Sequence, residues 1–327
     1  MSRDPRPGNP DPTAAPKPEE GPCRTEARGA ADGRRHIPEI VEEIIAGCES
    51  DACYHHVAYE PIPSREAVVD IIDRMRELIF PGYFTRERID PVNLRYSMGR
   101  AVSVLYDLLA EQICRSIRHD CFRYEQECQH CESRGNDLAL ELLLSVPDIQ
   151  RAMAADVSAA YDGDPAAKSY DEIIFSYPGI HAIAVHRVAH RLYELEVPLL
   201  PRIMTEHAHG VTGIDIHPGA EVGRRFVIDH GTGVVVGETT VIGDNVRIYQ
   251  GVTLGALSLP PGAGDRLRGK KRHPTIENDV IIYSGATILG GDTVIGARSV
   301  IGGNVWITES IPPDTRVLME PPKLVYR

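Results

Sequence analysis

Between residues 211 and 307 an aliphatic side chain returns every six positions, and few folds tolerate that period. The series runs Ile216, Val222, Ile228 and Val234; after a two-residue slip, Ile242, Ile248 and Leu254. After a long excursion come Ile276, Ile282 and Ile288, and after a one-residue slip Ile295, Ile301 and Ile307. A helix would repeat near 3.6, and a hairpin sheet would alternate in twos with a turn every ~8–12 residues. A period of six predicts a solenoid of short strands, each hexad giving one flat side and one corner of a triangular coil. Thirteen hexads at three per turn predict about four turns. The repeating side chain points into a narrow core, where a β-branched aliphatic is expected to fit and an aromatic ring is not. A small or apolar residue four positions on shares that core. Glu238 falls at such a position, so it is expected inside, hydrogen-bonded to the wall.

Two compositional biases follow from the same coil. Of 29 glycines, 19 lie between Gly210 and Gly303, where corners call for unusual backbone angles. Aromatic residues are only 6% of the chain, with a single Trp.

The preceding segment has different physics. Residues 1–35 hold seven prolines by Pro22 and no apolar periodicity, and read as a disordered leader. Residues 36–210 read as an α-helical domain. Ser64 caps a helix through Val68, Ile71, Ile72, Met75 and Ile79, stopped by Pro81-Gly82. Further helical patterns run over 93–118, over 138–144 with a break at Pro147, over 148–161, and from Pro178-Gly179 through Leu192. Short breaks imply an antiparallel bundle. The fold class is therefore α+β: an N-terminal α-helical bundle followed, over 211–327, by a parallel β-helix of hexapeptide repeats interrupted by a loop at 256–272.

Several function classes are disfavoured. The formal net charge is −12, which opposes a chain built to grip nucleic acid. No apolar stretch approaches the ~20 residues of a membrane span, and Met1-Ser-Arg-Asp-Pro5 lacks the apolar stretch of a signal peptide, so a cytoplasmic location is expected. All seven cysteines lie in the first 131 residues. On one straight helix Cys114 and Cys131 would stand about 25 Å apart, too far to share a metal. Cys128 and Cys131, with Cys48 and Cys53 from elsewhere, remain a metal-site alternative to small buried hydrophobes.

Candidate chemistry sits where the coil is interrupted. Gly213-Ile-Asp-Ile-His-Pro-Gly-Ala220 enters it, and Val227-Ile-Asp-His-Gly-Thr-Gly-Val-Val-Val-Gly-Glu238 follows. The excursion is basic, with Arg268, Lys270, Lys271 and Arg272, and ends in Arg272-His-Pro. Lys270 or Lys271 could meet an anionic ligand, though exposed basic loops are usually just solvated. His217 could pack at a corner or touch a ligand. His181, His186 and His190 share one helix, and 186/190 has metal-ligand spacing, but bundle histidines are the simpler reading.

These strings resemble the serine O-acetyltransferase family of hexapeptide-repeat acyltransferases. The matching motifs are Asp215-Ile-His-Pro, Asp229-His-Gly-Thr-Gly-Val-Val-Val-Gly-Glu-Thr, Gln250-Gly-Val-Thr-Leu-Gly and Arg272-His-Pro, with Asp164-Pro-Ala and Gly179-Ile-His-Ala upstream. The resemblance covers roughly 148–313 and, more loosely, a long-N-terminus branch of the family. It implies a left-handed coil and transfer of acetyl from acetyl-CoA to the hydroxyl of L-serine, the first step of cysteine biosynthesis.

The implied roles suit the residue types. His230 would be the base that activates the serine hydroxyl, with Asp215 orienting its ring. Asp164 and Asp229 would hold the ammonium group, and Arg272 and His273 the carboxylate. His273 would also be a candidate oxyanion donor. The CoA arm would pass Gly255, Ala256, Ser284 and Gly285. No metal is implied. The family also implies cysteine feedback and a homotrimer or dimer of trimers, with each site shared by neighbours. The chain ends Glu320-Pro-Pro-Lys-Leu-Val-Tyr-Arg327 rather than in the Ile that docks family members into O-acetylserine sulfhydrylase, so that partnership stays open. Competing readings are an acetyltransferase for another small acceptor, a γ-carbonic-anhydrase-like zinc enzyme, and a non-catalytic scaffold. The first would be free to lose the amino-acid pocket, the second needs three converging His, and the third would be free to lose His230 or its Asp partner.

Overall fold

The computed structural model describes residues 33–48, 56, 62–85, 87–125, 129–257, 262, 267 and 269–320. The leader through residue 32, Cys53, Cys128, Arg268 and the tail from 321 lie outside them. The chain divides into two compact units, 1–60 and 61–327. In the first, one 3₁₀ turn leads into α1 (Ile37–Cys48). The second holds all the remaining elements.

Six helices precede the coil: α2 (Arg65–Ile79), α3 (Leu94–Arg123), α4 (Cys131–Gly163), α5 (Tyr170–Ser176), α6 (Pro178–Glu194) and α7 (Leu200–Thr212). Ser64 caps α2 by accepting from the Ala67 amide at 3.2 Å, as its position suggests. Val68, Ile71, Ile72, Met75, Leu78 and Ile79 form the buried face of α2.

Two expectations are corrected. Pro147 does not break the third helical pattern, because α4 runs through it for 33 residues. Proline removes the amide that would donate to the Leu143 carbonyl; burial of Leu142, Val146, Ile149 and Met153 on both sides of the proline keeps the helix continuous. Nor do Cys114 and Cys131 share one straight helix. The chain turns back between α3 and α4, which leaves Cys121 Sγ and Cys131 Sγ 4.0 Å apart.

The coil has three parallel sheets. The first stacks β1 (Ile214–Ile216), β4 (Val234–Val236), β7 (Thr253–Gly255), β10 (Thr287–Leu289) and β13 (Trp306–Ile307). The second stacks β2 (Glu221–Val222), β5 (Val241–Ile242), β8 (Thr275–Ile276) and β11 (Val294–Ile295). The third stacks β3 (Val227–Asp229), β6 (Arg247–Tyr249), β9 (Ile281–Ile282), β12 (Val300–Ile301) and β14 (Arg316–Val317). Two five-stranded sheets make about five turns, one more than the hexad count predicts. The thirteen phased aliphatics are buried, apart from the half-buried Val222.

The core is less selective than its period suggests. Phe226 is completely buried in the first turn, with its amide donating to Asp156 Oδ1 of α4 at 2.9 Å. That turn is capped by the helices, so it has room for a ring. The glycine excess also has a second cause. At one corner column Arg225, Asn245, Asp279, Arg298 and Asp314 take positive φ with full side chains. At Gly223 the need is space: a Cβ would come 2.6 Å from the Gly243 carbonyl oxygen of the next turn.

The helices are keyed to the coil by one buried ion pair. Arg187 of α6 donates from Nε to Asp156 Oδ2 at 2.9 Å and from its terminal nitrogen to the Gly223 carbonyl at 2.7 Å. Asp156 has no solvent exposure, and burial pushes its carboxyl up to about 6 against the pull of Arg187. Among the described residues, no helix is long and apolar enough to cross a membrane.

Candidate active site

The predicted residues gather at two corners, at opposite ends of the sheet that holds β1, β4 and β7. The first corner lies between β3 and β4. Asp229 ends β3, and His230 turns the corner with φ +56, a left-handed conformation that aims its ring outward. The His230 side chain is 73% exposed, so a single chain leaves this imidazole open. Its Nε2 stands 3.8 Å from Asp229 Oδ1, while Arg247 of β6 stands 3.9 Å from Asp229 Oδ2. Asp164, at the end of α4, accepts from Tyr177 Oη at 2.5 Å and from the Ala166 amide at 2.8 Å. Those two donors hold its carboxyl below the usual range, and the phenol it accepts from is pushed up to about 12.

The second corner lies between β4 and β5. Thr239 organises it: its Oγ1 accepts from the amides of Arg272 at 2.9 Å and His273 at 3.1 Å. Its own amide donates to His273 Nδ1 at 3.0 Å. Burial, with Arg272 adding to it, lowers His273 to about 4, so the ring is neutral near pH 7 and carries its proton on Nε2. The imidazole lies so close to the turn that a Cβ on Gly237 would come 2.0 Å from it. Glu238 is outside the coil, against the expectation. It ion-pairs with Arg272 and accepts from Tyr193 Oη of α6 at 3.1 Å. The slip in the repeat puts Thr240, fully buried, in the inward place instead.

Other residues sort between these corners. His217 accepts the Gly219 amide on Nδ1 at 3.0 Å and meets Tyr193 edge-on, with Glu238 and Arg272 among its charged neighbours. Lys271 is committed to carbonyls, donating to Thr239 at 2.6 Å, so it is not a loose cation for an anionic ligand. Asp215 does not pair with His230 in this chain. It lies beside Glu206 and His209 of α7, with ligand atoms within 4.8 Å of one another. His186 is buried in the bundle and stacks on His190 at 5.6 Å, and His190 donates to the Pro218 carbonyl at 2.8 Å.

The four proposed CoA positions divide the same way. Ser284 and Gly285 lie down the first corner from His230, in a bare column where a Cβ on Gly251 would sit 3.5 Å from Gly285 Cα. Gly255 and Ala256 lie below the second corner, where the Gly237 amide donates to the Leu254 carbonyl at 3.0 Å. Between the two corners runs β4 (Val234–Val236), and the four steps from Gly233 to Gly237 along it span roughly 13 Å. One copy therefore cannot close its two corners on one small molecule.

The motifs gave no notice of Tyr177, Arg247 or Tyr193, and carried Thr239 only as the last residue of a matching string. Arg247 was visible only as a cation at an outward strand position, and Tyr177 only as the residue ahead of the Pro178-Gly179 helix start.

Comparison with known proteins finds similarity to one family. Residues 105–185 match the family described as serine acetyltransferase, N-terminal. A plasmid-encoded serine acetyltransferase of Synechococcus elongatus is 47% identical over 281 residues, 84% of this chain and 88% of that one. A Bacillus subtilis serine acetyltransferase is 45% identical over 177 residues, 54% and 77% of the two chains. Among solved structures, Entamoeba histolytica serine acetyltransferase 1 in complex with L-cysteine is similar with TM-score 0.67 and 34% identity, covering 84% of this chain and 94% of that one.

Proposed function

This chain belongs to the serine acetyltransferase family, and from that premise we propose that it transfers the acetyl group of acetyl-CoA to the hydroxyl of L-serine, giving O-acetyl-L-serine and CoA. The observation that carries the reading is the chemistry at the two corners. One offers two carboxylates beside an exposed imidazole. The other offers a guanidinium beside a neutral imidazole with its N–H free to donate. Together these suit the ammonium, hydroxyl and carboxylate of one amino acid.

His230 takes the proton of the serine hydroxyl as that oxygen attacks the thioester carbonyl. A new C–O bond forms and the carbonyl electron pair moves onto oxygen. The Nε2–H of His273 stabilises that oxyanion. Collapse breaks the C–S bond, and the departing thiolate regains the proton from His230. Asp164 and Asp229 hold the ammonium, and Arg272 the carboxylate. Asp215 stabilises the imidazolium once the exposed ring turns toward β1; the Gly233 amide already donates to the Gly213 carbonyl two residues away, at 2.8 Å. The bare glycine column below His230 gives the pantetheine arm a path close to the backbone. No metal enters this scheme.

The two-corner division also supports a trimer. A cyclic trimer with the β1–β4–β7–β10–β13 sheet toward its axis sets the first corner of each copy against the second corner of the next, and makes three sites. A dimer of trimers through the helical half extends the same assembly.

The test is free-thiol release from acetyl-CoA with a panel of amino-acid and sugar acceptors. Serine-dependent turnover is expected, and turnover only with another acceptor would overturn the assignment. His230→Ala should remove nearly all activity while leaving the melting temperature intact.

A further inference from the structure

Resting on the reading above, we infer that Tyr177 is a positioning residue for the acceptor's ammonium group: its hydroxyl fixes the orientation of Asp164 and so sets the affinity for an amino-acid acceptor. Asp164 lies just past the last turn of α4 with an extended backbone, where its side chain could adopt several rotamers. Two donors remove that freedom. Tyr177 Oη donates to Oδ2 at 2.5 Å and the Ala166 amide to Oδ1 at 2.8 Å. Each oxygen keeps a second lone pair, which is what an ammonium with three donors requires.

Tyr177 is itself well anchored. It closes α5, with its amide donating to the Ile173 carbonyl at 3.1 Å, and opens α6, with its carbonyl accepting from Ile180 at 3.2 Å. Its ring is half-buried against the hydrophobic core. A phenol held from both sides of a helix junction places its hydroxyl with little lost entropy. A flexible donor such as Lys would not.

The second carboxylate is held by a matching device. Arg247 donates to the Ala159 carbonyl at 2.9 Å and faces Asp229 Oδ2. Its guanidinium fits only because Gly163 has no side chain: a Cβ there would come 1.6 Å from it. The ends of α4 and α5 and the third sheet thus present two oriented carboxylates with one resident cation. The net negative charge left at the corner favours an acceptor carrying an ammonium.

The test is steady-state kinetics of Tyr177→Phe in the full-length protein. The ring and its packing stay, and only the donor is lost. The expected result is a KM for L-serine raised about tenfold, the lower end of what a hydrogen bond to a charged group carries. Expected alongside are a kcat within about twofold of the parent, an unchanged KM for acetyl-CoA and an unchanged melting temperature. The same loss should vanish when Asp164 is already Ala: Tyr177→Phe on Asp164→Ala should leave serine affinity, measured by calorimetry, where Asp164→Ala alone leaves it. An unchanged KM for serine, a loss confined to kcat, or an effect that persists on Asp164→Ala would overturn the inference. Absence of serine turnover in the parent protein would instead overturn the reading on which it rests.

Discussion

Thr239 donates its backbone N–H to Nδ1 of His273 across 3.0 Å, and this contact decides which nitrogen of that ring carries the proton. A ring that accepts on Nδ1 and is neutral must donate from Nε2. His273 is thereby suited to donate to a developing oxyanion and unsuited to act as the base. His273→Ala should lower kcat by about 10²–10³, the usual loss for an oxyanion donor. His273→Asn, which restores an N–H, should recover part of it. Because the folded ring is held near pKa 4, it stays neutral through the working range. The acid limb of kcat/KM should therefore persist in His273→Asn. Disappearance of that limb would make His273 the titrating group.

Glu238 sets the position of Arg272. The two are ion-paired at a half-buried corner, with Tyr193 donating to the other carboxylate oxygen. Glu238→Gln keeps the shape and removes the charge. The KM for serine should rise roughly fivefold as the guanidinium loses its fixed orientation, with little change in the KM for acetyl-CoA. Equal KM values for variant and parent would show that Arg272 is held by other contacts, such as the Leu267 and Lys270 carbonyls it also reaches.

Stability should fall on the acid side of neutrality because of histidines buried in their neutral form. Burial lowers His181 to about 4 and holds His186 well below its ordinary value. Near pH 6.5 and below, the unfolded chain binds protons that the folded chain refuses. The contribution is thus fully present above pH 6.5 and is lost as pH falls toward 4, by up to about 1.4 kcal/mol per pH unit for each group. Denaturant melts from pH 7.5 to 5 should show that slope, partly offset by Asp156, whose folded carboxyl, raised to about 6, takes up a proton that the unfolded chain releases. His181→Gln should flatten it by up to one proton, and an unchanged slope would mean that His181 is protonated in the folded state.

Much of this molecule was legible from period and motif. The six-residue repeat placed Ile216, Ile248, Leu254, Ile282 and Ile301 inside the coil, because inward alternation depends on spacing alone. The slips were harder to read. A two-residue slip near Val236 swaps the inward place from Glu238 to Thr240, and spacing on either side does not say which residue of the slip turns in. The helix through Pro147 and the buried Phe226 were missed for one reason: local rules yield where neighbouring elements fill or cap the space. Motif strings located His230, Asp229, Arg272 and His273, yet not that they occupy two distant corners. Nor could they find Tyr177 or Arg247, whose roles depend on helices folding back onto the third sheet.

If the two corners work only between copies, inactive variants should repair one another. His230→Ala disables the first corner and leaves the second intact, and Arg272→Ala does the reverse. Each alone should be nearly inactive. Mixed, unfolded and refolded together in equal amounts, they should form heterotrimers. A site is intact when its first corner comes from an Arg272→Ala chain and its second from the neighbouring His230→Ala chain. Random assembly makes that combination in about a quarter of sites, so about a quarter of parent activity should return. Refolding either variant alone gives the baseline, and simple mixing without subunit exchange should stay near it. Exchange verified by a size tag, with no recovery of turnover, would place both corners of a working site on one chain and require the flap around Arg272 to move roughly 13 Å toward His230.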